Sequence, residues 1–198
     1  MKKNYILLAK MAVETYIKER KIIDTPSWLP EEFKKRKAGV FVTIQKEGHL
    51  RGCIGTYLPT KPNIAQEIIH NAIAAATEDY RFPPIQKEEL PYLTYTVYIL
   101  NPPQPVKNLE ELDPKKYGII VKTLPLFSPH QEVIFNGHPL PKTGLLLPDL
   151  EGINTPEEQI SIACQKGGID LEKEKIFLYK FTVEKYESSN ENEKKNKQ

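Results

Sequence analysis

HLRGCIGTYL, residues 49–58, alternates as a β-strand does, yet it contains two glycines and one of the two cysteines of the chain. Strands normally fill such positions with bulky β-branched side chains. The preceding segment AGVFVTIQ (38–45) also alternates, and KEG (46–48) is a short glycine-containing connection between the two. The pattern predicts a β-hairpin whose second strand has glycines, instead of bulky side chains, near its cysteine.

Strand parity predicts which side chains of this segment act together. One face is predicted to carry His49, Arg51 and Cys53, with Gly55 next in line, and the opposite face Leu50, Gly52 and Ile54. At about 3.3 Å per residue, Arg51 and Cys53 start about 7 Å apart, a gap that a guanidinium can bridge. His49 and Cys53 start about 13 Å apart, so they cannot ligate one metal ion in this strand.

Two interpretations of Cys53 are open at this point. An arginine beside a thiol favours the thiolate, which is the nucleophilic form, and Gly55 leaves space on the side of the thiol. Gly52, on the reverse side, is typical of close approach by another backbone. Alternatively, Cys53 is a small buried side chain in a tight hairpin, and Arg51 is paired with a carboxylate for structural reasons.

The segment EDYRFPPI (78–85) ends a predicted helix, because its two prolines cannot continue one. Asp79 is predicted to pair with Arg51 and to orient it relative to Cys53. Arg81 and Phe82 are assigned, with Gly52 and Gly55, to the binding residues of the same site. The alternative is a solvent-exposed helix end whose carboxylates interact weakly with nearby lysines.

The rest of the chain predicts an α+β fold, a largely antiparallel sheet with flanking helices. Predicted helices are 4–20, 62–78 with Thr60 or Lys61 as its cap, and a segment capped by Thr155 and stopped by Gly167 or Gly168. Further predicted strands are 92–100, 117–123, 131–137, 144–148 and a last strand 175–186. A polar tail, 188–198, is too hydrophilic to bury anything and is predicted to be disordered.

Composition narrows the class of protein. The chain has 198 residues, of which 39% are hydrophobic, and a formal net charge of +2. This charge is too low and too dispersed for a nucleic-acid-binding domain, which argues against nucleic acid as a partner. No segment approaches the about 20 apolar residues of a membrane helix. Two widely separated cysteines do not form a disulfide framework. We therefore expect a cytoplasmic protein in which both cysteines are reduced thiols.

The remaining chemistry-bearing residues predict neither a metal nor a cofactor. HExxH, CxxC, the P-loop and GxGxxG are all missing from the sequence. His130 and His138 lie at the two ends of a predicted strand, too far apart to share an ion. Cys164 lies four residues after Ile160 in a predicted helix, which is core spacing, and it is expected to be inert.

LRGCIG (50–55) resembles the signature hexapeptide of the AMMECR-type domain family. The likeness extends, in order and spacing, to AGVFVTI, NAIAAATEDYRFPPI, ELPYLTYTVYILNPPQPV, YGIIV, GLLLP and ISIACQKGGI, which together cover about 38–170. The segment DLEGINT departs from the pattern, because many relatives have a tryptophan there. No role is carried over for that loop.

The resemblance implies one domain, 1–187, made of a larger and a smaller lobe. It also implies protein A of the AmmeMemoRadiSam system, which acts beside a Memo-like protein and a radical-SAM protein. The favoured function is an accessory or adaptor protein with a cleft for a ligand or partner at the LRGCIG strand. The alternative is an enzyme in which Cys53 is nucleophile or transient acceptor, Arg51 its activator and Asp79 the orienting group.

Overall fold

The computed structural model describes residues 2–124 and 141–188, which form an α+β fold as predicted. The helices in this part of the chain are α1 (Lys2–Glu19), α2 (Glu31–Lys35), α3 (Ile64–Thr77) and α4 (Pro156–Gly167), with short 3-10 helices at Lys87–Tyr92 and Leu109–Glu111. The strands are β1 (Val40–Lys46), β2 (His49–Thr56), β3 (Leu93–Leu100), β4 (Gln104–Pro105), β5 (Gly118–Lys122), β6 (Thr143–Leu146), β7 (Phe177–Phe181) and β8 (Val183–Glu187).

The described residues divide into two compact units, one of residues 2–100 with 184–188 and the other of residues 101–124 with 141–183. Each unit contains a four-stranded sheet, with strand orders β2-β1-β3-β8 and β4-β7-β5-β6. β1 pairs antiparallel with β2 and β3, and β7 pairs antiparallel with β4 and β5. The largely antiparallel character of the fold is therefore confirmed. None of the helices in the described ranges is long and apolar enough to cross a membrane.

The β1–β2 hairpin forms as the alternation predicts. Val40, Val42 and Ile44 of β1 are fully buried, in one core cluster with apolar residues of α1, α3 and β3. Glu47 and Gly48 connect the strands with φ angles of 52° and 83°. Two consecutive positive φ angles give the turn a twist that matches the right-handed twist of the paired strands.

The start of α3 differs from the prediction. Neither Thr60 nor Lys61 is its cap: Asn63 takes that position, and its side chain accepts a hydrogen bond from Gln66 N. The backbone N–H groups of Thr60 and Lys61 both donate instead to the carboxylate of Glu67. The chain before the helix therefore bonds to the first helical turn, and α3 begins at Ile64.

In the second unit, α4 lies against β5 and β6. Its boundaries follow the predicted signals: Thr155 and Glu158 form a capping box, and Gly168 ends the helix with a φ of 62°. The helix backbone approaches the sheet closely, since a Cβ atom on Gly144 would stand 1.8 Å from the carbonyl oxygen of Ala163. Cys164 is buried in this core, as predicted, and burial raises the pKa of its thiol.

The prediction of one last strand over 175–186 is wrong. Two strands, β7 and β8, occupy this segment, with Thr182 between them, and they belong to different sheets. Asn101 marks the break, because its backbone N–H donates to Thr182 O and its side-chain amide donates to Thr182 Oγ1. The predicted strand 131–137, His130 and His138 lie outside the described residues, as does the tail from 189 onward.

Candidate functional site

A β-bulge in β2 changes the predicted arrangement of side chains. Thr43 is opposite Cys53 and Ile44 opposite Gly52, but Gln45 is opposite Leu50, so Arg51 is the extra residue. Leu50 was predicted on the apolar face with Ile54, opposite the face of Cys53, which is wrong. Its side chain lies on the face of Gln45 and is 42% exposed.

The two glycines of β2 have different neighbours. A Cβ atom on Gly52 would stand 2.0 Å from the carbonyl oxygen of Ala75 in α3, which confirms the predicted close approach of backbone. Gly55 is opposite Phe41, and a Cβ atom there would stand 2.2 Å from the Phe41 ring. The space that Gly55 leaves beside Cys53 is thus covered by an aromatic ring.

Cys53 is half-buried on the sheet face that also carries Thr43. The Thr43 hydroxyl donates a hydrogen bond to Cys53 Sγ at 3.2 Å. The backbone N–H of Cys53 donates to Asp79 Oδ2 at 2.8 Å. Asp79 therefore contacts the cysteine directly, rather than through Arg51.

Arg51 pairs with Glu89, so the predicted Arg51–Asp79 pair is wrong. Its Nε and Nη2 each donate to the Glu89 carboxylate at 2.9 Å, and its Nη1 donates to Pro83 O at 2.9 Å. This bidentate arrangement leaves the Arg51 side chain only 13% exposed. Arg51 is thus held by a carboxylate, as the structural interpretation of the sequence expects.

The partner of Asp79 is Arg81, two residues further along the chain. The Arg81 Nε and Nη2 donate to the two oxygens of Asp79 at 2.9 and 2.7 Å, and the Arg81 backbone N–H donates to Oδ1 at 3.2 Å. With the N–H of Cys53, the nearly buried carboxylate receives four hydrogen bonds. Arg81 above all lowers the pKa of Asp79 to about 2.

Phe82 connects the two ion pairs. Its ring lies 6.0 Å from the guanidinium carbon of Arg51 and 5.5 Å from that of Arg81, within the range of cation–π contacts. We call this set the arginine brace: Arg51, Glu89, Asp79, Arg81 and Phe82. The brace fixes the 79–84 turn against β2 and leaves Tyr80 95% exposed.

Glu89 is the member of the brace that the sequence did not indicate. It is the third residue of the 3-10 helix at Lys87–Tyr92, where its side chain accepts from Gln86 N in a capping box. That local capping pattern was the available signal, but it says nothing about a distant arginine. Hydrogen bonding by Arg51 is the main reason that the pKa of Glu89 is lowered to about 2.

The two ion pairs of the brace are expected to make the free energy of unfolding depend on pH in the acid range. The pKa values of Asp79 and Glu89 lie below their ordinary values of 3.8 and 4.5. A carboxyl whose folded pKa is depressed stabilises the protein above its unfolded pKa, and this contribution is lost as the pH falls through the folded pKa. We expect the free energy of unfolding to drop by about 2 kcal/mol per group between about pH 5 and pH 2, measured by urea denaturation.

Asp79→Asn and Glu89→Gln are the matched variants for this titration. Each should be less stable than wild type at pH 7 and should lose correspondingly less stability on acidification. If both variants reproduced the wild-type dependence on pH, the assigned ion pairs would not be its cause.

A second polar cluster, around Glu67 in α3, was also missed. Glu67 is completely buried, and its carboxylate accepts hydrogen bonds from Thr56 Oγ1, Thr60 N, Thr60 Oγ1 and Lys61 N at 2.7–2.8 Å. Burial alone would raise its pKa, but these hydrogen bonds outweigh burial and lower the pKa. The cluster holds the segment that follows β2.

Other surfaces are less informative. Within the described part of the chain, no three side chains of His, Cys, Asp or Glu come together as a metal site. An open recess lies in the second unit, lined by Ser161, Cys164, Gln165, Gly168, Ile169 and Asp170, with Leu171 and Glu172. This recess is not the cleft expected at the LRGCIG strand, which stays a prediction.

The fold and this site define an α+β protein with a glycine-flanked cysteine strand whose edge is braced by two arginine–carboxylate pairs. The chain belongs to the AMMECR1 family, whose sequence profile matches residues 6–186. A protein of Thermotoga maritima is 49% identical over 92% of this chain and 96% of its own length. A Clostridium acetobutylicum protein is 42% identical over 92% of this chain, which spans only 34% of that relative.

A solved structure supports the same assignment. The crystal structure of an uncharacterized protein, PH0010, from Pyrococcus horikoshii is similar to this chain with a TM-score of 0.78 and 31% sequence identity. The similarity covers 94% of this chain and 90% of that one. The family resemblance in the sequence is thereby confirmed, together with the fold.

Proposed function

We propose that the protein is an accessory or adaptor component whose partner-binding surface is the 79–84 turn beside β2. The observation that carries this proposal is that both arginines near Cys53 are paired with carboxylates. Arg51 and Arg81 each make a bidentate pair with a carboxylate, so both guanidinium groups serve first to hold the turn. A rigid turn that presents side chains to solvent is suited to recognition, because little conformational entropy is lost on binding.

Tyr80 is the residue of this turn best placed to contact a partner. It is 95% exposed, and Leu50 and Tyr92, 42% and 58% exposed, belong to the two segments joined by the Arg51–Glu89 pair. Large exposed apolar side chains on a fixed framework are typical of interaction sites, and tyrosine is enriched among residues that dominate binding energy.

The family resemblance supplies the proposed partners, a Memo-like protein and a radical-SAM protein of the same organism. The resulting hypothesis is a cytoplasmic modification system in which this chain, as one domain over 1–187, binds a catalytic component. Neither a cofactor nor a metal of its own is required for that role.

Replacing Tyr80 by Ala should weaken binding of the partner by about tenfold, the effect of losing one central aromatic contact. The measurement is isothermal titration of the purified chain against the Memo-like and radical-SAM proteins of the same genome. Leu171→Ala is the matched control, because Leu171 is 49% exposed but belongs to the second unit.

Cys53→Ala is the decisive companion variant, since an adaptor should bind its partner equally well without the thiol. The proposal fails if neither protein binds the wild-type chain, or if Tyr80→Ala and Leu171→Ala bind alike.

A catalytic role for Cys53 is the second candidate, favoured by its half-buried position and by the hydroxyl of Thr43 at its sulfur. In that role Cys53 would be the nucleophile or transient acceptor. The pH dependence of Cys53 alkylation tests it: a rate no faster than that of an ordinary thiol would remove the catalytic role.

A further inference from the structure

The two arginines of the brace differ in how many of their nitrogen atoms are engaged. Arg51 uses all three, two on Glu89 and one on the carbonyl of Pro83. Arg81 uses Nε and Nη2 on Asp79, whereas its Nη1 donates no hydrogen bond to any residue in the ranges 2–124 and 141–188. The Arg81 side chain is also 42% exposed, against 13% for Arg51.

The guanidinium of Arg81 is nevertheless fixed in orientation. Asp79 holds one edge of it through two hydrogen bonds, and the ring of Phe82 lies 5.5 Å from its central carbon. Asp79 is itself held by the backbone N–H groups of Cys53 and Arg81. Two of the four donors to this carboxylate are backbone N–H groups, and they compensate part of its negative charge. Asp79 therefore neutralises Arg81 only in part, and the outer edge of the guanidinium, at Nη1, stays positive.

The guanidinium of Arg81 lies close to Cys53, with its Asp79-facing edge toward the cysteine backbone. A single oxygen, Asp79 Oδ2, accepts from both Cys53 N and Arg81 Nη2, at 2.8 and 2.7 Å. The cation next to the cysteine is therefore Arg81 rather than Arg51, which the sequence had indicated. Tyr80, almost fully exposed, precedes Arg81 in the same turn.

We propose that Arg81 Nη1 is the recognition point for a carboxylate of the bound partner, so that the 79–84 turn binds an acidic segment. An Asp or Glu side chain of the partner would accept from the two N–H groups of Nη1, while an adjacent apolar side chain packs on Tyr80. A preoriented guanidinium suits a carboxylate because the geometry of the donors is set before binding. This inference rests on the proposed function and adds the chemistry of the partner to it.

Alkylation of Cys53 with two small reagents tests the carboxylate preference without knowledge of the partner. Iodoacetate carries a carboxylate, and iodoacetamide is its neutral counterpart. In both reactions the thiolate sulfur displaces iodide from the equivalent carbon of the reagent. We expect the rate ratio of iodoacetate to iodoacetamide at Cys53, measured by peptide mass spectrometry, to fall about threefold in Arg81→Gln, the scale of one exposed ion pair. Cys164 is buried in the second unit and should stay unmodified in the folded protein, which checks that the chain is native during labelling.

Two controls separate a local site from overall charge and from damage to the fold. Arg20→Gln removes one positive charge at the end of α1 and should leave the ratio unchanged. In the wild-type chain, raising NaCl from low to 0.5 M should lower the ratio, because salt screens an exposed pair. This second measurement decides the matter if Arg81→Gln does not fold.

The inference is overturned if Arg81→Gln folds and keeps the wild-type ratio, or if the ratio is insensitive to salt. It is also overturned if neither reagent modifies Cys53 in the native chain. None of these outcomes depends on the Tyr80→Ala titration, so the partner-binding role and the carboxylate preference can fail separately.

Discussion

Gly52→Ala is expected to destabilise the protein by at least about 3 kcal/mol, or to prevent folding. The added methyl carbon would stand 2.0 Å from the carbonyl oxygen of Ala75 and 3.1 Å from its carbonyl carbon. Both are backbone atoms within α3, so relief requires the whole helix to move away from the sheet. Close-packed interiors do not absorb such a shift cheaply. Denaturant unfolding of the purified variant measures the loss.

Gly48→Ala is the matched control, because it makes the same chemical change in the same hairpin. Nothing lies within 4 Å of a Cβ atom at Gly48, but its φ is +83°, which costs an alanine about 1–2 kcal/mol. The difference between the two variants therefore isolates the contact with α3. A Gly52→Ala protein as stable as Gly48→Ala would show that β2 and α3 do not pack as closely as described.

The hairpin shows how far the sequence alone determines this site. Its two strands and its turn were predictable, because Val40, Val42 and Ile44 alternate with polar residues and KEG supplies the connection. The bulge at Arg51 was not, since one inserted residue leaves no mark in composition. When parity is counted through a bulge, every residue before it is assigned to the wrong face, and this is why Leu50 was predicted on the face opposite Cys53.

The sequence predicts that Arg51 pairs with a carboxylate, but it does not predict which carboxylate. Four carboxylates in the segments that follow α3 could pair with Arg51, namely those of Glu78, Asp79, Glu88 and Glu89, and the sequence contains nothing that ranks them. Asp79 lies two residues from Arg81 and pairs with it, and this local pair excludes a pair between Asp79 and Arg51. The choice depends on the path of the chain through Pro83 and Pro84, which brings Glu89 to Arg51.

The break between β7 and β8 has a similar explanation. Residues 175–186 alternate continuously, and nothing in that pattern indicates that Thr182 separates two sheets. The separation is set by Asn101, 81 positions earlier, whose backbone and side chain both bond to Thr182. Alternation predicts that a segment is extended, but the identity of its neighbouring strands depends on contacts far away in sequence.

Glu67→Leu is expected to lower the free energy of unfolding by about 3 kcal/mol at pH 7. The substitution removes the acceptor of two backbone N–H groups, those of Thr60 and Lys61, at a position that is completely buried. Thr60 is exposed and Lys61 half-buried, so water can replace part of the lost acceptor, but leucine accepts none of the four hydrogen bonds, each of which is worth about 1 kcal/mol. Denaturant unfolding at neutral pH measures the loss.

Glu67→Gln is the matched variant, and it should cost only about 1 kcal/mol, because a glutamine can satisfy the same four partners. Its amide oxygen can accept from the N–H groups of Thr60 and Lys61, while its amide nitrogen donates to the hydroxyls of Thr56 and Thr60, which can rotate to accept. The pKa of Glu67 is lowered, so its carboxylate stabilises the protein above an ordinary pKa of 4.5 and loses that effect as the pH falls. Glu67→Gln should remove this part of the pH dependence, and if Glu67→Leu were as stable as Glu67→Gln, hydrogen bonding to the segment after β2 would not be the role of this carboxylate.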